Sequence, residues 1–508
     1  MTGSNLANGT ENADPRDRIF DTAHMQDGLG RQVGRASVFL LAISLVRTVQ
    51  QIAAIAIVAR LIPPSEYGIF AMALPGVMLA VALSNLGLPQ AVVQKKEITH
   101  REVSALLWLN VTLAVTVIGV LVVFAGPIAA WYGAPEVAPV LRVVSFAVLF
   151  SALLGQYVAI LRRTLRVRSV EYVSLGAELA GLVIVVTAAL MGLSYWALVM
   201  QQIAIPALSL LGLIYVTRWG PSLPSAKDMR AARGSVAFGG SIAGFSIANR
   251  MTEYAGTVVA GASFAAAGAG IFYRAQNLAL MAQRKVMVPL SGAFVPTLSR
   301  LQDAPEDMRA MAIRLYSRSA LIMAPIAVGL AVAAEPLTLI LLGPDWAELA
   351  PLLFWFSLFV LRAAGNMAAQ QILVASGKGA VLLGFGLFRM VLVTLAMVVA
   401  ARWGMVAMAA TAMLVELLVT FPVLAALAVR HTALSWSALW AASLREMGLA
   451  VGIAAALIWG FVPFIAGWGA LAQVVACAGV IAVIYVVRIG VSPALRADLR
   501  QVVRRRSA

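Results

Sequence analysis

About fourteen runs of some 20 predominantly apolar residues follow one another along the chain, separated by short polar connections. A run of that length spans the hydrocarbon core of a bilayer as an α-helix, and a spanning segment must satisfy its backbone hydrogen bonds internally. The runs predict spans at 37–59, 68–92, 104–125, 138–160, 171–191 and 195–217. A second set follows at 236–262, 268–296, 314–334, 349–374, 380–401 and 404–429, and a final pair at 447–466 and 468–488. The chain is 61% hydrophobic and 12% charged, which excludes a soluble or disordered class. The expected fold is therefore an all-α polytopic membrane protein. It divides into a disordered cytoplasmic tail (1–34), an N-lobe (35–217), a basic linker (218–235), a C-lobe (236–429), a cytoplasmic loop (430–446), two C-terminal helices (447–488) and a basic tail (489–508).

The net charge of +16 suggests nucleic acid until the cations are placed. Lys95, Lys96 and Arg101 fall in one connection, Arg162, Arg163, Arg166 and Arg168 in the next but one. Arg218, Lys227, Arg230 and Arg233 follow, then Arg300, Arg309, Arg314 and Arg318, then Lys378, Arg430 and Arg445. The alternate connections hold only Arg60 and Arg402. Such a bias is a topology signal that places both termini in the cytoplasm, and it leaves no nucleic-acid patch. One cysteine, Cys477, lies in an apolar run and reads as a packing residue. His24, His100 and His431 are scattered, with no metal or catalytic grouping.

Segments recur at an offset of roughly 200–214 residues, as internal duplication produces. YGIFAMA (Tyr67–Ala73) answers GIFYRAQ (Gly270–Gln276), and GAPEVAPVL (Gly133–Leu141) answers GPDWAELAPLL (Gly343–Leu353). Gln156 answers Gln370–Gln371, and Gly192 answers Gly404. Six spans per unit is even, so the two lobes are expected to be related by a pseudo-twofold along the membrane normal, with a cleft between them.

Several spans carry charge. Arg47 lies mid-span, about 15 Å from either end of its helix, with Gln50 and Gln51 on the same face. A guanidinium there costs roughly 2.5–3.5 kcal/mol on insertion scales. Either the face lines a wet path, or Arg47 is buried against helix carbonyls. Arg142 is close enough to a span end to snorkel. Arg274, Asn277, Met281, Arg284 and Lys285 form a stripe at helical spacing, read as cavity lining, with an interfacial cluster at Arg284 and Lys285 as the alternative. Asn249 and Arg250 precede Glu253, and Arg250 pairs with Glu253 on one face or binds a ligand. Arg362 and Arg389 lie deep in their spans, and Glu178 and Glu416 are the carboxylates within reach of Arg389. In-span cations outnumber anions, which favours an anionic substrate group such as a phosphate or pyrophosphate.

The segments Ala59–Leu74, Ser84–Val111 and Val295–Trp346 resemble Wzx-type polysaccharide flippases of the multidrug/oligosaccharidyl-lipid/polysaccharide exporter superfamily, over about residues 30–430. The resemblance implies a bacterial inner-membrane protein that moves undecaprenyl-pyrophosphate-linked oligosaccharide to the periplasmic leaflet. It implies a cationic central cavity, alternating access driven by an H+ or Na+ gradient, no cofactor, and the polysaccharide polymerase and chain-length machinery as partners beside membrane lipids. Related lipid II flippases carry cavity arginines in the first and eighth spans, which Arg47 and Arg274 match; Arg250 is added from the repeat.

The expected substrate-binding residues are thus Arg47, Gln50, Gln51, Asn249, Arg250, Arg274, Asn277 and Asn366, with Glu178 and Glu253 for ion coupling. The rivals are a drug/cation antiporter of the same superfamily, a lipid II flippase, and a membrane enzyme. The enzyme needs an acid/base cluster or a large extramembrane loop, and neither is present in the sequence.

Overall fold

The computed structural model describes residues 15–20, 29–85, 88–95, 98–225, 240–301, 304–431 and 436–491. They are helical almost throughout and contain no strand. Among the described residues, thirteen helices are long and apolar enough to cross a membrane. The expected seventh and eighth spans form one 60-residue helix, Gly240–Ser299, broken at Phe264 (φ −129°, ψ 19°) and Ala265 (φ 56°, ψ −165°). Counted as two arms, it restores fourteen.

The helices are α1 (Leu29–Leu61), α2 (Pro64–Asn85), α3 (Leu88–Gln94), α4 (His100–Tyr132), α5 (Val137–Val144), α6 (Phe146–Arg163), α7 (Val167–Leu190), α8 (Tyr195–Thr217) and α9 (Gly240–Ser299). Then come α10 (Pro305–Val332), α11 (Ala334–Leu341), α12 (Leu349–Ala375), α13 (Gly379–Ala400), α14 (Met405–Val415), α15 (Phe421–His431), α16 (Trp436–Ala456), α17 (Val462–Ile465) and α18 (Ala470–Val491). Short π-turns, Glu416–Thr420 and Leu457–Phe461, join α14 to α15 and α16 to α17.

Local sequence sets the ends. Thr99 caps α4 by accepting the Glu102 backbone N–H (3.3 Å), and Gly133 ends it in the left-handed region at φ 65°. The expected fourth span is present as Val137–Arg163, with α5 and α6 meeting at Ser145, whose hydroxyl donates to the Arg142 carbonyl (2.7 Å). The repeat is visible in the backbone: the matched glycines Gly133 and Gly343, and Gly192 and Gly404, all have positive φ.

The chain separates into two compact units, Met1–Gly270 and Ile271–Ala508. The division falls beyond the 218–235 linker expected from sequence because the first arm of α9 packs within the first unit. Gly261 approaches Met72 and Tyr132, and Gly270 approaches the backbone of Pro64 and Gly68. Gly68 and Gly270 are matched positions of the repeat, and a side chain on either would overlap backbone.

In the first unit α1 packs on α7, α7 on α8, and α4 on α2 and α6. Its basic end is tied by polar contacts around His100, which is fully buried and accepts the Trp219 indole N–H on Nδ1 (2.9 Å). Part of the tail expected to be disordered belongs to this knot. Pro15–Phe20 forms a 3-10 turn, Asp17 accepts the His100 backbone N–H (2.6 Å), and Phe20 is buried. Arg163 locks the turn by donating to the Phe20 carbonyl (3.2 Å) and the Val92 carbonyl (3.0 Å). In the second unit α10 packs on α12 and α16, α13 on α14, α12 on α15, and α11 on α18. Cys477 is buried in α18, as a packing residue.

Candidate functional site

Arg47 on α1 is held by α7. Its Nη1 donates to Glu171 Oε2 (2.7 Å), its Nε to Glu178 Oε2 (3.1 Å) and its Nη2 to Glu178 Oε1. Glu171 and Glu178 are seven residues apart, two turns on one face of α7, so one guanidinium from α1 bridges both. The side chains keep 25%, 22% and 16% of their surface exposed. All three Arg47 nitrogens are thus engaged by carboxylates, and neither helix carbonyls nor an open cationic face surrounds it. With both carboxylates ionised the cluster is formally −1, the opposite of the cation excess expected at this position. Gln50, on the same face, has a buried Oε1 with no hydrogen-bond partner; Gln51 is half-buried.

Arg250 lies on the first arm of α9, its side chain 47% exposed, and its Nη1 stands 3.5 Å from Glu253 Oε2. The neighbouring Asn249 is half-buried. The second arm carries Arg274, which is buried with its guanidinium 5.7 Å from the ring centre of Trp346, a fully buried residue. Asn277 donates to the Tyr273 hydroxyl (3.3 Å). The stripe expected to line a cavity therefore changes character along its length: Arg274 is in packed interior, Asn277 is half-buried and Arg284 is exposed.

The second unit holds a cluster deeper than either. Arg362, Arg389 and Glu416 lie at the middles of three spans and are 3%, 8% and 2% exposed. Arg389 Nε and Nη2 donate to Glu416 Oε1 at 2.8 and 2.5 Å, and the Thr420 hydroxyl donates to Oε2 at 2.5 Å. Thr420 is four residues from Glu416 across the π-turn, so the turn supplies both the carboxylate and its third donor. Arg362 Nη1 is 3.3 Å from Glu416 Oε2, outside hydrogen-bond geometry, and its guanidinium stacks 4.8 Å from the Phe359 ring centre. Of the two carboxylates within reach of Arg389 in sequence, the fold selects Glu416.

The structure thus joins Arg47 to Glu178, and Arg250 to Glu253, each a binding candidate with an ion-coupling candidate. It brings in Glu171, a partner the sequence reading missed although its seven-residue spacing from Glu178 was visible. In the second unit an apolar pocket of about 280 Å³ opens between α10, α12 and α16, bordered by Ala327, Phe354, Leu361, Ala454 and Trp459.

Residues 57–351, more than half of the chain, match the family described as "Polysaccharide biosynthesis protein". The chain belongs to that family. The match agrees with the resemblance to Wzx-type flippases carried by its motifs. Similar proteins include the succinoglycan biosynthesis transport protein ExoT of Rhizobium meliloti, 30% identical over 66% of this chain and 68% of that one. The lipopolysaccharide biosynthesis protein WzxC of Escherichia coli is 25% identical over 68% of this chain and 70% of that one. Among solved structures the fold is similar to the lipid II flippase MurJ in an inward closed conformation (TM-score 0.61, 11% identity, 88% and 98% of the two chains). It is also similar to an inward-facing multidrug resistance transporter of the MATE family and MOP superfamily (TM-score 0.60, 12% identity, 83% and 98%). The protein is thus a multi-pass membrane protein of a polysaccharide biosynthesis family with a transporter fold.

Proposed function

We propose that this protein flips an undecaprenyl-pyrophosphate-linked oligosaccharide from the cytoplasmic to the periplasmic leaflet of a bacterial inner membrane by alternating access. The observation that carries the reading is the conjunction of polysaccharide-family membership with a fold shared by a lipid flippase. Charge placed mid-span in both units supports it, because buried ionisable groups in a membrane mark a substrate or ion path. Gln50, Gln51, Asn249 and Asn277 contact sugar, and Arg250 and Arg274 attract the headgroup. Arg47 acts through exchange: a proton or Na+ taken up by Glu171 and Glu178 frees its guanidinium for the pyrophosphate. The apolar pocket beside α16 suits a hydrocarbon chain, since a cavity without polar partners does not hold water.

The acidic surroundings of Arg47 favour one rival, a drug/cation antiporter. One experiment separates the two. In a strain lacking the protein, lipid-linked oligosaccharide accumulates on the cytoplasmic leaflet, and the intact gene clears it while Arg47→Ala, inserted at normal level, does not. Unchanged glycolipid together with drug sensitivity in the deletion strain refutes the flippase reading.

A further inference from the structure

The buried cluster of the second unit is unbalanced. Two guanidiniums share one carboxylate, and Arg389 and Thr420 already occupy both of its oxygens with hydrogen bonds. Arg362 is left with an ion pair at 3.3 Å and a stacked ring, while its Nε and Nη1 are buried without a hydrogen-bond partner. One turn further along α12, Asn366 has a buried Oδ1 that is also unpartnered. Residues four apart share a helix face, so two donor atoms and an amide stand together, one turn apart, in the middle of a span.

A structural ion pair has no use for the second arginine. Buried charge is tolerated when it is paired and its hydrogen bonds are made, and Arg362 meets neither condition in full. Glu416 would keep its closest donors if Arg362 were apolar. What Arg362 supplies is one uncompensated positive charge with open N–H groups, and what Asn366 supplies beside it is an open amide oxygen able to accept from a hydroxyl. That set matches an oxyanion, and one bearing hydroxyl groups uses all of it.

We infer that Arg362 and Asn366 form an oxyanion-binding site of the phosphate class in the second unit, with Arg389, Glu416 and Thr420 as the fixed support behind it. The oxyanion comes from a lipid headgroup or from a free anion. Only the headgroup source rests on the proposed flippase function.

The test uses the full chain purified into nanodiscs of phosphatidylcholine, with thermal unfolding followed by tryptophan fluorescence. Inorganic pyrophosphate is titrated in one arm and a short-chain polyprenyl pyrophosphate in the other. Wild type is stabilised saturably, and the apparent affinity falls at least tenfold in Arg362→Met and severalfold in Asn366→Leu. Without anion, Arg362→Met unfolds at or above the wild-type midpoint, because it removes a charge that the fold does not need. Tighter binding of the polyprenyl form identifies the headgroup source, and equal binding identifies a free anion. Absence of any anion response in wild type, an undiminished response in Arg362→Met, or unfolding of that variant without anion overturns the site. Unchanged affinity in Asn366→Leu removes Asn366 from it. Failure of the glycolipid assay described above leaves this result standing, so the two readings fail separately.

Discussion

At the scale of single residues, the molecule distributes its intramembrane charge into unequal groups. Around Arg47 the carboxylates are in excess and partly exposed; around Glu416 the guanidiniums are in excess and buried. This asymmetry predicts graded stability effects. Replacing Glu416 by Gln leaves two buried guanidiniums facing one another and costs about 3–5 kcal/mol, the range for breaking a buried pair. Arg389→Met removes hydrogen bonds to a charged group and costs about 1.5–3 kcal/mol. Unfolding of the purified variants in detergent measures both, and wild-type stability in Glu416→Gln shows that the cluster does not form. The presence of deep charge was legible in the sequence, because Arg47, Arg362 and Arg389 interrupt apolar runs. The pairs Arg250–Glu253 and Arg389–Glu416 were among its readings, but the partners of Arg47 were not. Arg47 and Glu171 are 124 residues apart, and no helical period relates α1 to α7.

At the scale of elements, hydropathy located nearly every span, since 20 apolar residues have few other solutions in a bilayer. It also parted the seventh and eighth spans, 236–262 and 268–296, where Phe264–Ala265 breaks α9; what it left out is that the two arms run on as one kinked helix with no glycine or proline at the break itself. The knot at His100 left no such signal. It is made of separate hydrogen bonds, the His100 backbone N–H to Asp17, Arg163 to the Phe20 and Val92 carbonyls and the Trp219 N–H to His100, and these leave no pattern in sequence. The bend in α9 makes a prediction. Ala265 holds φ 56° with ψ −165°, a region that glycine occupies freely and that costs a side chain about 1–3 kcal/mol. Ala265→Gly is therefore expected to raise the unfolding midpoint. Gly68→Ala is expected to lower it sharply, because the added methyl would overlap the Ala266 backbone. A midpoint unchanged by both substitutions shows that this approach of α2 to α9 is not maintained.

At the scale of the whole molecule, direction of transport depends on membrane orientation, and the charge map predicts one. Only Arg60 and Arg402 lie in one set of connections, whereas the other set holds clusters such as Arg162–Arg168, and cationic loops are retained on the cytoplasmic side. Glu136 and Asp345, exposed residues in matched segments of the repeat, are then expected on the periplasmic side and Leu165 on the cytoplasmic side. The chain suits a cysteine test because its one natural thiol, Cys477, is 2% exposed and lies within a span. In spheroplasts, a membrane-impermeant maleimide is expected to label Glu136→Cys and Asp345→Cys at once and Leu165→Cys only after permeabilisation. Labelling of Leu165→Cys alone in intact spheroplasts inverts the bundle. Labelling that differs between Glu136→Cys and Asp345→Cys breaks the parallel entry of the two repeats. Either result removes the basis for export from the cytoplasmic leaflet, because a path that opens to the two leaflets in turn has a direction only relative to the side where its substrate is made.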